Sequence, residues 1–286
     1  MKRGIDISEW QGELSDLSWN KIKNDGIEFV IIRCGYTGYG KSKVKRVDKF
    51  FENNYNNAKK HGIPVGVYYY SCATSIEEAR EEANFVLDII KGKKFEYPIV
   101  IDTEDDHDIN NTSNSNKSQA SIGKRTLTPI IKTFCDILEE KNYYVSIYAS
   151  TYWFENNLIL DDLQDYDKWI AQWSNSVSVD YEYGIWQYSS TGRVDGIVGN
   201  VDMNYSYLDY PSIMSINGLN GYVKENIIDE PLEDVIDREE PLIPVLPSVL
   251  DEEDELDENN DDIENGIINR LRIFFKKIFS FFSNIF

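Results

Sequence analysis

The chain has 286 residues, 41% hydrophobic and 13% aromatic, enough for one large folded body and an appendage. Its formal charge of −21 is uneven: residues 225–264 carry −17 and residues 267–286 carry +4, which leaves only −8 for the rest. No basic stripe runs through that rest, which argues against nucleic acid as a partner. Cys34, Cys72 and Cys135 form no CxxC pattern and read as buried free thiols, and His61 and His107 are too few for a zinc site, so neither a disulfide framework nor a metal or other cofactor is expected.

In chain order, residues 4–8 (GIDIS) predict a strand with Asp6 inside it. An unpaired carboxylate there would be costly, so Asp6 needs a partner or lines a site. Residues 18–24 predict a short helix and residues 28–33 (EFVIIR) a second strand. The glycine-rich stretch 35–40 has no Lys-Ser/Thr helix start behind it and does not read as a phosphate cradle. Residues 47–61 predict a helix, with Phe50, Phe51, Tyr55 and Ala58 at core spacing and Gly62 behind it. Residues 65–70 (VGVYYY) are a third strand. Residues 75–91 are an amphipathic helix that opens on a serine cap, with Glu78 three residues further on.

Residues 97–104 (YPIVIDTE) follow as a β-branched strand that ends in Asp102 and Glu104. Side chains at i and i+2 share a strand face, so both carboxyls would project together, roughly 7 Å apart along the chain. One reading is a pair of acids suited to glycoside hydrolysis, one holding a proton and one ionised. The other is an acidic turn after a core strand. Residues 105–123 are a polar loop, expected to be mobile, and residues 126–142 return to helix. Strands are expected at 144–149, 168–173 and 183–188, with residues 192–203 turning back as a final strand pair. The alternation of strands and helices predicts an α/β fold: an irregular, TIM-like (β/α) barrel of eight strands whose last third lacks helices. Asp6, Tyr68 or Tyr70, Asp102, Glu104, Tyr148, Trp173, Gln187 and Asp202 would then collect at one mouth.

Taken together, GIDISEWQG, the R-x-G-Y-T-G stretch, GVYYYS, YPIVIDTED, IYAS, WIAQW and WQYSSTGRVDGIVGNVDMN resemble glycoside hydrolase family 25, the Chalaropsis-type lysozymes or N-acetylmuramidases. The resemblance covers residues 1 to about 210. It implies cleavage of the β-1,4 bond between N-acetylmuramic acid and N-acetylglucosamine in peptidoglycan glycan strands. It also implies Glu104 as the catalytic acid with Asp102 beside it, and Asp6 and Asp202 as the other acidic positions. Tyr68, Tyr70, Tyr148, Trp173 and Gln187 fall where the family lines its sugar groove. A cluster of carboxyls at one mouth would raise the proton affinity that a general acid needs. Substrate assistance by the 2-acetamido group is the expected route, because a short D-x-E leaves little room for an inverting water.

The domain limits expected are 1–212 for the barrel, 213–264 for a disordered acidic linker containing prolines, and 265–286 for a cationic amphipathic helix. From Ile267 to Phe286 the apolar residues share one helical face and Arg270, Arg272, Lys276 and Lys277 the other, which suits an anionic membrane surface. No signal peptide precedes the first strand, so action at the cell wall would need release through a phage holin or a leaderless route. A non-catalytic peptidoglycan-binding protein and a chitinase-like barrel glycosidase are the rival functions.

Overall fold

The computed structural model describes residues 1–38, 43–104 and 118–224. Gly40, His107, residues 225–264 and the stretch from Ile267 to Phe286 lie outside the described residues, and with them the expected membrane-facing helix and the expected acidic linker beyond residue 224.

The strands are β1 (Lys2–Ile7), β2 (Phe29–Thr37), β3 (Lys45–Val47), β4 (Val65–Tyr70), β5 (Ile99–Asp102), β6 (Val145–Ser150), β7 (Asp167–Ala171), β8 (Ile185–Gly192) and β9 (Val201–Ser206). They pair in the order β1-β9-β8-β7-β6-β5-β4-β2-β3, and a further β1–β2 pairing closes the circle. β3 hangs outside as a hairpin on β2, so the closed barrel has the eight strands expected. β9 alone runs antiparallel to both its neighbours, β8 and β1. A parallel return would need a crossover of a dozen or more residues, and residues 193–200 are too few for one.

Parallel strands are covered on both faces and so read as near-continuous apolar runs. Along β2, Val30 and Ile32 face the outer layer, while Phe29 and Ile31 join Tyr97, Val100, Tyr148 and Trp169 within the barrel. At its base Phe29 stacks on Tyr97 with ring centroids 4.3 Å apart. Gly4 makes room for that stack, since a Cβ on it would meet the Phe29 ring at 2.4 Å.

The outer layer is α1 (Asp16–Asn24), α2 (Phe51–Lys60), α3 (Ile76–Ile90), α4 (Lys124–Glu139) and α5 (Thr151–Asn157), with α6 (Tyr210–Asn217) under the barrel. The serine cap of α3 forms as expected, Ser75 Oγ accepting from Glu78 N at 3.2 Å. Among the described residues no helix stands between β7 and β8 or between β8 and β9, which is the helix-poor last third.

Several boundaries differ from expectation. β2 runs on to Thr37, and residues 45–47 pair with it instead of starting a helix, so α2 begins at Phe51. β5 stops at Asp102, leaving Glu104 beyond the strand. Residues 192–203 are not a strand pair but the end of β8, a loop and the start of β9. α5 was not expected; Ser150 Oγ starts it by accepting from Trp153 N at 3.1 Å. Past residue 212 the fold continues through α6 to Asn220. That buried residue donates to Tyr97 O at 2.9 Å and accepts from Tyr144 N at 2.7 Å, bridging the starts of β5 and β6. All three cysteines are buried thiols, as expected.

Candidate active site

The carboxyl ends of the parallel strands open into a cavity of about 430 Å³ lined by Asp6, Tyr68, Tyr70, Asp102, Glu104 and Asp202, together with residues of β2 and of the loop after β1. Asp6 and Asp202 are direct cross-strand partners in the antiparallel β1–β9 ladder. Their carboxyls share a hydrogen bond, and Asp6 Oδ1 also accepts from Gln187 Nε2 at 3.0 Å and Asn204 Nδ2 at 2.8 Å. Burial, and then the neighbouring Asp202 charge, push Asp6 well above the ordinary aspartate range, against the pull of the two amide donors. Burial also raises Asp202. Two carboxyls this close hold one proton between them.

Asp102 ends β5 almost fully buried, and its Oδ1 has no hydrogen-bond partner among the described residues. Burial raises its proton affinity most, followed by the charges of Glu104 and Asp6, while the Arg33 guanidinium works the other way. Glu104 lies two residues on, half-buried on the same cavity wall. Burial and the surrounding acids push the Tyr68 and Tyr148 phenols up, so both stay protonated and can donate.

Tyr148, Gln187 and Trp173 sit behind and beside this cavity. Gln187 is 2% exposed, and its Oε1 accepts from Tyr148 OH at 3.1 Å and from Trp173 Nε1 at 3.0 Å. Its amide thus ties Tyr148 of β6 and Trp173, just after β7, to Asp6. Trp173, just after β7, is 63% exposed and does not line the cavity.

Sequence reasoning missed the cation of the site. Arg33, in β2, donates through Nε to Asp48 Oδ2 at 2.8 Å and through Nη2 to Glu9 Oε1 at 2.9 Å, and lies 4.7 Å from the centroid of the Tyr36 ring. The signal was the one that singled out Asp6, a charge inside an apolar strand. Asn204 was missed too, although it stands two residues from Asp202 on the same strand; Trp169 Nε1 fixes it by donating at 2.8 Å. Trp10, 82% exposed on the cavity edge, is a further exposed indole at the mouth.

The Asp6–Asp202 pair has a consequence for stability. A raised aspartate stabilises the fold below its ordinary value of 3.8, and that contribution is lost as pH rises through the folded value. Asn at position 6 keeps the acceptor oxygen for Gln187 and Asn204 and donates permanently to Asp202. Asp6→Asn is therefore expected to raise the unfolding midpoint near pH 7 by about 2–4 °C, the effect of ~1 kcal/mol in a domain of this size. The gain should shrink toward about pH 4 and below, where Asp6 becomes protonated in the unfolded chain too and folding no longer has to take up the proton. Calorimetry at both pH values checks this, and an unchanged or lowered midpoint at neutral pH would count against the shared proton.

A family model described as glycosyl hydrolases family 25 matches residues 5–197. The chain is similar to an autolytic lysozyme of Clostridium acetobutylicum, with 28% identity over 205 residues that cover 71% of this chain and 55% of the relative. It is also similar to lysozyme M1 of Streptomyces globisporus, with 26% identity over 221 residues that cover 71% of this chain and 66% of that protein. Among solved structures, the modular autolysin LytC of Streptococcus pneumoniae in complex with a synthetic peptidoglycan ligand superposes with a TM-score of 0.62 at 27% identity, covering 71% of this chain and 46% of LytC. The chain spans about half the length of the clostridial and pneumococcal relatives.

Proposed function

The chain belongs to glycosyl hydrolase family 25, and we propose that it is a muramidase, cleaving the β-1,4 bond from N-acetylmuramic acid to N-acetylglucosamine in peptidoglycan. The observation that carries this reading is the meeting of Asp6, Asp102, Glu104 and Asp202 in one cavity at the carboxyl mouth of the barrel. The lysozyme and autolysin names of its relatives supply the substrate class.

Glu104, with its side chain partly open to solvent, is the group that can reach a glycosidic oxygen and hand it a proton. Asp102 is too buried to serve as an exchangeable acid, but its Oδ1 is an acceptor without a donor among the described residues. A buried acceptor of that kind calls for a partner, and the N–H of a 2-acetamido group supplies one. Held there, the acetamido oxygen attacks the anomeric carbon as the bond to the leaving sugar breaks. Water then opens the cyclic intermediate as Glu104 takes its proton back. The surrounding carboxyls stabilise the positive charge that grows on the ring. The exposed indoles of Trp10, on the cavity edge, and of Trp173, just after β7, offer flat surfaces for neighbouring sugars.

Loss of turbidity in a suspension of purified peptidoglycan tests the reading. Steady clearing with new reducing ends is expected; binding to the wall without clearing would favour a non-catalytic peptidoglycan-binding protein.

A further inference from the structure

A line of buried hydrogen bonds runs behind the cavity and ends on a carboxylate that takes no part in the chemistry above. Trp153 Nε1 donates to Thr103 Oγ1 at 3.2 Å, and Thr103 Oγ1 to Gln119 Oε1 at 2.8 Å. Gln119 Nε2 donates to Ser71 Oγ at 3.3 Å and to Ala73 O at 3.2 Å, and Ser71 Oγ donates to Glu82 Oε2 at 2.6 Å. Glu82 Oε1 accepts from Thr37 Oγ1 at 2.6 Å and from Cys72 N at 3.2 Å. Thr103, Gln119, Ser71, Thr37 and Glu82 are each at most 2% exposed.

The direction of the line is fixed at both ends. An indole N–H can only donate, so Thr103 Oγ1 accepts at that end. The Ala73 carbonyl can only accept, so the Gln119 amide must turn its nitrogen that way and its oxygen toward Thr103. Ser71 already accepts from Gln119 and from Ala73 N, at 3.3 Å, which leaves its proton for Glu82. Burial raises the Glu82 carboxyl above the ordinary glutamate value, against the pull of the donors from Ser71, Thr37 and Cys72 N, and its two oxygens accept all three. Chains of buried hydrogen bonds with one polarity strengthen one another, and a partly broken one is costly.

Thr103 is the residue between Asp102 and Glu104. Its backbone is clamped on both sides, since Thr103 N donates to Tyr148 O at 3.0 Å and Ser71 N donates to Asp102 O at 3.0 Å. β5 has ended by this point, so ladder hydrogen bonds no longer fix where Glu104 projects. We infer that Thr103, Gln119, Ser71 and Glu82 are positioning residues for the reaction: the one-way hydrogen-bond line from Trp153 to Glu82 sets the aim of Glu104 relative to Asp102. The inference rests on the muramidase reading.

Thr103→Val keeps shape and removes the hydroxyl, while Thr103→Ser keeps the hydroxyl and removes the methyl. The valine variant is expected to lose about tenfold or more in kcat on purified peptidoglycan, as small misplacements of a reacting group do. Its KM should stay within about twofold of wild type and its kcat-pH profile should change, while the serine variant restores both. Gln119→Met, which cuts the line outside the barrel strands, should reproduce the loss if Thr103→Val fails to fold. A Thr103→Val or Gln119→Met protein with wild-type kcat, or a serine variant as impaired as the valine one, overturns the inference. Crystal structures of the variants decide the point without turnover: Glu104 displaced in Thr103→Val and unmoved in Thr103→Ser is the expected result, and Glu104 unmoved in both refutes it. If wild type does not cleave peptidoglycan, the muramidase reading falls while the structures still decide the positioning.

Discussion

Glu104→Gln is expected to slow clearing of a peptidoglycan suspension by about 10²–10⁴-fold, the range a positioned general acid contributes. Glutamine fits the same space and can still hydrogen-bond a glycosidic oxygen, but it has no proton to transfer to a leaving sugar. Glu104 is half-buried beside Asp102, whose proton affinity its charge raises, so removing that charge should not lower the unfolding midpoint. Loss of rate with stability retained separates chemistry from folding. The comparison also discriminates between functions: for a protein that merely coats the wall, wild type and Glu104→Gln would behave alike, with equal clearing or none.

Asp102→Asn is the second large effect. Asp102 lies among groups that raise its proton affinity, yet the acetamido route needs it as a negative acceptor beside a ring gaining positive charge. Asparagine keeps a carbonyl oxygen for the acetamido N–H but loses the charge that steadies the cyclic cation. Removing one such preorganised stabiliser typically costs about 2.7–4 kcal/mol, or 10²–10³ in kcat. We expect a loss of that order with KM nearly unchanged, since the interaction grows only toward the transition state. Steady-state rates on a defined glycan oligomer measure both constants. The same substrate reports stereochemistry: internal attack predicts a first product of retained β configuration, and an inverted product would remove the acetamido route from the account.

What the sequence disclosed follows from what each residue buries. Barrel strands such as VGVYYY and FVII are covered on both faces, so they stand out as apolar runs, and an acid within one, as at Asp6, is conspicuous. β3 and α5 span only three and seven residues, too few for a periodic pattern, and α6 gains its order from partners far away in the chain. α6 is held under the barrel by Tyr210 and Met214, and Asn220 by the backbones of Tyr97 and Tyr144. The hydrogen bonds of Gln187 to Tyr148, Trp173 and Asp6 could not be read from its strand position, because they join residues 39, 14 and 181 apart in the chain. Glu82 was within reach of pattern reading: it stands three residues after Ala79 and four before Val86, on the buried face of α3. A carboxylate on an apolar helix face needs donors, and those donors come from Thr37 and Ser71, at separations of 45 and 11 residues that no local pattern reveals.

Mass spectrometry of the soluble fragments released from purified peptidoglycan tests the central claim most directly. The account predicts fragments whose new reducing end is N-acetylmuramic acid, absent when Glu104→Gln is used. Fragments ending in N-acetylglucosamine, or cleavage confined to the peptide stems, would contradict it.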